Sequence, residues 1–87
     1  MKMKTIEVEV TERNIKQGLL GMEEYCPVAL AIKRVTRLRN VFVGGGVIET
    51  EKWSVKMPVK VRKFIGRFDD EKPVQPFKFT LKIRENK

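Results

Sequence analysis

Two stretches at opposite ends of the chain alternate apolar and polar side chains, and they constrain the fold more than any other feature. Near the start, Ile6, Val8 and Val10 alternate with Glu7, Glu9 and Thr11. Near the end, Phe77, Phe79, Leu81 and Ile83 alternate with Lys78, Thr80, Lys82 and Arg84. A period of two is that of a half-buried β-strand. The polar face of the first is acidic and that of the second basic, so Glu7 and Glu9 are expected across from Lys78 and Lys82, as cross-strand neighbours. The termini are therefore expected to pair, with the basic residues of the last strand neutralised inside that pairing.

The intervening residues are punctuated by helix signals. Thr11 is a suitable N-cap, Glu12 follows in the first turn where the helix dipole favours a carboxylate, and Gly18 supplies a stop, which gives a helix of about two turns. Leu19, Leu20 and Met22 follow without periodicity and are expected to tuck onto the core. Pro27 fits the first position of a second helix, where its missing N–H costs nothing. Val28, Ala31, Ile32, Val35 and Leu38 then fall at spacings of three and four, one apolar stripe. Pro58 opens a third helix, with Val61, Phe64, Ile65 and Phe68 on its apolar face, and Asp69 to Pro73 end it.

Between the second and third helices, residues Val41 to Ile48 form a β-prone run with apolar residues in both alternating sets, as in a strand buried on both faces. Thr50 to Lys52 reads as a turn, and Trp53, Val55 and Met57 as the returning strand. Gly44-Gly45-Gly46 is either a bulge or bend in the apolar strand or itself the hairpin turn, and the register depends on which. It is not a phosphate-binding signature, since no Gly-x-Gly-x-x-Gly or Gly-Lys-Ser/Thr is present. The expected architecture is α+β, a small single domain over residues 1–87 in the order β-α-α-β-β-α-β, its antiparallel sheet carrying helices on one face. At 87 residues the core is modest, and a homodimer would add to it.

Chemistry is restricted by what the composition lacks. The single cysteine excludes an internal disulfide, and with no histidine there is no Cys/His zinc set and no imidazole acid or base. Met1 to Val10 interleave charged and apolar residues, so neither a signal peptide nor a membrane span is expected and a reducing cytoplasm is the expected compartment. Neither a cofactor nor a metal is expected.

The charge is more informative. The chain carries a formal net charge of +8. Residues 25–68 hold ten basic side chains against Glu49 and Glu51, and the rest of the chain nets zero. A block of like charge costs self-repulsion unless an anionic partner meets it. Lys33, Arg34 and Arg37 lie off the stripe of the second helix, and Lys60, Lys63 and Arg67 flank that of the third. These six are the candidate ligand-binding residues, weighed against an ordinary solvated helix face; guanidinium groups suit paired bonds to phosphate and lysines act as point charges. Tyr25, Phe42 and Trp53 are the aromatic residues left over for stacking, whereas the other phenylalanines fall on core faces. Cys26, beside Glu23 and Glu24, is read as a buried or capping residue.

Three stretches resemble a family of small uncharacterised proteins met mainly in tailed phages and some bacterial genomes. They are Ile15 to Gly18 leading to Cys26-Pro27-Val28-Ala29-Leu30-Ala31-Ile32; Met57-Pro58 with Val61, Phe64, Ile65 and Phe68-Asp69; and Val74-Gln75-Pro76-Phe77-Lys78-Phe79. The Cys-Pro-Val-Ala-Leu-Ala block is the most specific. The resemblance implies a phage-type accessory protein acting in a host cytoplasm, and it carries no activity over to a residue. The expected function is thus a non-catalytic binder of a phosphate-rich anionic ligand, either nucleic acid or a nucleotide signal of host defence that it sequesters. The alternative is a protein-binding inhibitor or adaptor whose basic face docks on an acidic host protein.

Overall fold

The ends of the chain do pair. In the computed structural model, which describes residues 2–85, β1 (Lys2–Val10) and β5 (Phe77–Glu85) form an antiparallel two-stranded ribbon of nine residues per strand. Ile6, Val8 and Val10 face inward with Phe79, Leu81 and Ile83, and the alternating polar residues face solvent. The register sets Glu9 opposite Lys78, Glu7 opposite Thr80 and Thr5 opposite Lys82. The expected opposition of Glu7 to Lys82 is thus displaced by one rung of the solvent face. A shift of two residues keeps every side chain on its own face, so the alternation alone is blind to it.

Helix α1 (Glu12–Gln17) starts where Thr11 caps it. The Thr11 hydroxyl oxygen accepts from the Asn14 amide at 3.2 Å, and Asn14 Oδ1 accepts in return from the Thr11 amide at 3.0 Å, a reciprocal box that satisfies two free amides. Gly18 is its C-cap, in extended backbone, and is glycine for a steric reason. A Cβ there would stand 2.5 Å from Cδ of Pro27, so the absence of a side chain lets the first turn of the next helix pack against it.

Helix α2 (Pro27–Thr36) has Pro27 at its first position and buries Val28, Ala29, Ala31 and Ile32 against β1. Two expectations for this region are corrected. Arg37 is not part of the helix; it is the cap beyond it, in the left-handed region at φ 64°. Val35, a member of the apolar stripe, is 38% exposed because it borders an open groove between the end of α2 and residues 4–7 of β1.

The apolar run after Asn40 is folded back on itself. Strand β2 (Val41–Gly44) turns through Gly45 and Gly46, at φ 59° and 81°, into β3 (Val47–Thr50), and β4 (Ser54–Lys56) completes a three-stranded meander. Positive φ at both central residues is what a tight two-residue hairpin turn demands, and glycine meets it without strain. The turn reading of the glycines therefore holds over the bulge. The second turn is tied by Thr50, whose hydroxyl oxygen accepts from the Lys52 and Trp53 amides.

Helix α3 (Val59–Asp69) follows Pro58 and buries Val61 and Phe64. Phe64 lies 4.7 Å from the Phe77 ring and 6.2 Å from Phe68, and Phe77 lies 5.6 Å from Phe79, so an aromatic row joins α3 to the start of β5. The whole is an α+β domain with a single core running through both sheets. It differs from the expected order by one additional strand and by having two small antiparallel sheets where one was expected.

Candidate nucleic-acid interface

Cations from three elements meet at the ribbon, two of them reaching its edges from the helices. Arg34 of α2 donates through Nη2 to the main-chain carbonyl of Glu9 at 2.6 Å. Lys60 of α3 donates through Nζ to the carbonyl of Lys78 at 2.9 Å. Glu9 and Lys78 are register partners, so the two helices send a cation to opposite ends of one rung. In an antiparallel pair, a residue's N–H and C=O point together either to the partner strand or away from it. Both carbonyls of this rung turn away from the ribbon's centre, one towards each edge.

Along the ribbon's solvent face run Lys78, Lys82 and Arg84, all exposed. Only Lys78 has a carboxylate directly opposite; Lys82 faces Thr5 and Arg84 faces Met3. With Arg34 and Lys60 at the edges, five cations stand against Glu7 and Glu9. The alternation of β5 leads one to expect Lys78, Lys82 and Arg84 to be neutralised within the ribbon. The register gives Lys82 and Arg84 no carboxylate directly opposite, Glu7 being diagonal to Lys82, and their place in an alternating strand was the available signal.

The six sequence-predicted residues do not act as one set. Arg34 and Lys60 belong to the ribbon rung. Lys63 lies one turn along α3 from Lys60, exposed on the same flank. Arg67, further along, donates through Nε and Nη2 to the Pro73 carbonyl at 3.2 and 3.0 Å and holds the segment that leads into β5. Lys33 turns to the loop before its own helix, donating to the Glu24 carbonyl at 2.7 Å with Nζ 4.5 Å from the Tyr25 ring centre. Arg37 is exposed beyond the end of α2. A hydrogen bond to a carbonyl leaves the cation its full charge, and Arg34 and Lys60 each keep donors to spare.

The remaining candidates divide by exposure. Trp53 is buried at 7% and is no stacking platform, while Tyr25 is 45% exposed under Lys33. Leu19, Leu20 and Met22 do not tuck onto the core: each is about half exposed. Their loop closes on itself, the Leu19 amide bonding the Tyr25 carbonyl and the Tyr25 amide that of Met22, and this directs the side chains outward. Cys26 is buried at the N-cap of α2, its Sγ accepting from the Ala29 amide at 3.5 Å. Burial pushes its thiol pKa up, against the pull of the amides at the helix start, which keeps the sulfur in the unreactive thiol form.

Concavities offer less to an anion. The cavity of about 260 Å³ between the 21–26 loop and the glycine turn has one cation, Arg62, and two carboxylates, Glu23 and Asp69. Among the described residues no group of three or more His, Cys, Asp or Glu could hold a metal ion, and no helix is long and apolar enough to cross a membrane. Comparison of the chain with protein-family models, with curated proteins and with solved structures finds no match.

Proposed function

We propose that this domain is a non-catalytic nucleic-acid binder that meets the phosphate backbone across the solvent face of the β1–β5 ribbon. The observation that carries the reading is the single rung to which Arg34 and Lys60 are both anchored. On this reading the cations of α2, β5 and α3 share one surface, with Lys82 and Arg84 continuing it along the strand. A two-stranded ribbon fits the major groove of a B-form duplex, about 12 Å wide, and its flanking cations then reach the backbones on either side. Glu7, Thr5 and Thr80 on the same face supply acceptors and hydroxyls for base edges. The surface is open and elongated, which suits a polyanion better than a mononucleotide. In the phage-type setting that the sequence resemblance implies, the domain acts as an accessory factor on nucleic acid.

The test is fluorescence anisotropy with a labelled duplex, repeated over a salt series. Lys82 and Arg84 make the cleanest variants, since both are exposed and neither holds another element in place. Lys82→Ala with Arg84→Ala is expected to weaken binding at least tenfold and to lower the slope of log affinity against log salt by about 2, close to one for each phosphate no longer neutralised. Affinity indifferent to salt and to both substitutions would overturn the reading.

A further inference from the structure

Two carboxylates stand on the ribbon's solvent face, where every phosphate of a polyanion repels them. They are not equivalent. Glu9 has a cation directly across from it, Lys78. Glu7 has Thr80 across from it, with Lys82 on the diagonal and Lys52 on the far side of the groove that both line beside β1. Among the described residues no hydrogen bond or ion pair ties the Glu7 carboxylate to any of these. Its acceptor oxygens are uncommitted, and Glu7 is exposed.

Its rung lies next to the one that Arg34 and Lys60 flank. Residues sharing one face of a strand are about 7 Å apart, which is about two base-pair steps of a B-form duplex. With the backbones drawn to the ribbon's edges by Arg34 and Lys60, the middle of the face looks onto the floor of the groove. Base edges lie there. A carboxylate accepts and never donates, so it is selective among them. In the major groove guanine presents two acceptors, thymine an acceptor and a methyl, and adenine an acceptor beside its amino group. Cytosine alone presents a donor with no acceptor next to it on its own edge, the N4 amino group.

We infer, resting on the ribbon reading above, that Glu7 is the specificity-determining residue of this surface and selects a cytosine. Its carboxylate accepts from the cytosine N4 amino group when the ribbon lies in the major groove. At any other base the same carboxylate finds an acceptor or no partner, and its repulsion by the phosphates stands uncompensated. Discrimination thus comes as much from what Glu7 rejects as from what it bonds. The cations hold the backbone without regard to sequence, and one position of the site is specified.

The experiment uses the whole chain and a pool of duplexes of about 16 base pairs with randomised central positions, the bound fraction being separated and sequenced. The wild-type chain is expected to enrich cytosine at one position by about tenfold over the other bases. Glu7→Gln is expected to move the preference at that position to adenine, whose N6 and N7 match the donor and acceptor of a carboxamide. Glu7→Ala is expected to lose the preference and to bind the unselected pool a few-fold more tightly, because the repulsion leaves with the carboxylate. Both substitutions are at an exposed position and leave the apolar face of β1 untouched. Retention of duplex with no base enriched, or a cytosine preference that persists in Glu7→Ala, would overturn selection by Glu7 while the ribbon's hold on nucleic acid stands. Failure of the wild-type chain to retain any duplex would remove the ribbon reading itself, and the selection with it.

Discussion

Arg37 sits at φ 64° just past α2, a conformation that costs an L-residue about 1 kcal/mol and glycine almost nothing. Arg37→Gly is therefore expected to raise stability by about 0.5–1 kcal/mol in urea unfolding, while leaving duplex affinity within twofold, because Arg37 lies off the ribbon rung. Gly18 is the opposite case. Its hypothetical Cβ meets the Pro27 ring and main-chain nitrogen at 2.5–2.7 Å, so Gly18→Ala is expected to cost about 1–3 kcal/mol by forcing α1 and α2 apart. Glu51 accepts from the Arg39 and Asn40 amides at 3.3 and 3.1 Å, and main-chain amides, its own first among them, hold its carboxyl below the ordinary range. A lowered folded value means that this contribution is fully present above the ordinary carboxylate pKa and is lost as pH falls through the folded one. A carboxyl-detected titration is expected to give Glu51 a lower midpoint than a glutamate in an unfolded peptide.

At the scale of elements, the local chemistry was legible where short-range physics decides. Thr11, Gly18, Pro27 and Pro58 each marked a boundary because caps and prolines act within a few residues, and the apolar stripe of α3 named Val61 and Phe64 as its buried core. Phe64 joins that helix to β5 through the aromatic row. Phe64→Ala is expected to destabilise the fold by about 3–5 kcal/mol, measured by thermal and urea unfolding, by removing the ring that both Phe68 and Phe77 stack against. What sequence left undecided was set by long-range geometry. The glycine run was equally consistent with a bulge and a turn, and only closure of β2 on β3 selects the turn. The ribbon register was hidden because the alternation repeats every two residues. Val35 obeys the helical period and is nonetheless 38% exposed, since a period states which face a residue lies on and not how closely its neighbours pack against it.

Across the whole molecule, the charge concentrated in the middle of the sequence is divided in the fold. Lys33 and Arg67 brace loops, Arg34 and Lys60 brace the ribbon, and the basic residues of β5, which balance acidic ones in a count along the chain, emerge as surface cations once the register is known. Two of the five cations, Arg34 and Lys60, were thus legible as charge. The three on β5 were not, because no linear count reveals which carboxylate lies across from which lysine. Polyanion binding on the ribbon's solvent face can be read out by titrating a duplex of about 16 base pairs into isotope-labelled protein at low salt and mapping the resonances that move. The largest shifts are expected on Glu7, Glu9, Thr80 and Lys82 and on the Arg34 guanidinium, fading as salt is raised. Shifts centred instead on the exposed 19–25 loop or on Arg62 and Lys63, with the ribbon unmoved, would contradict it.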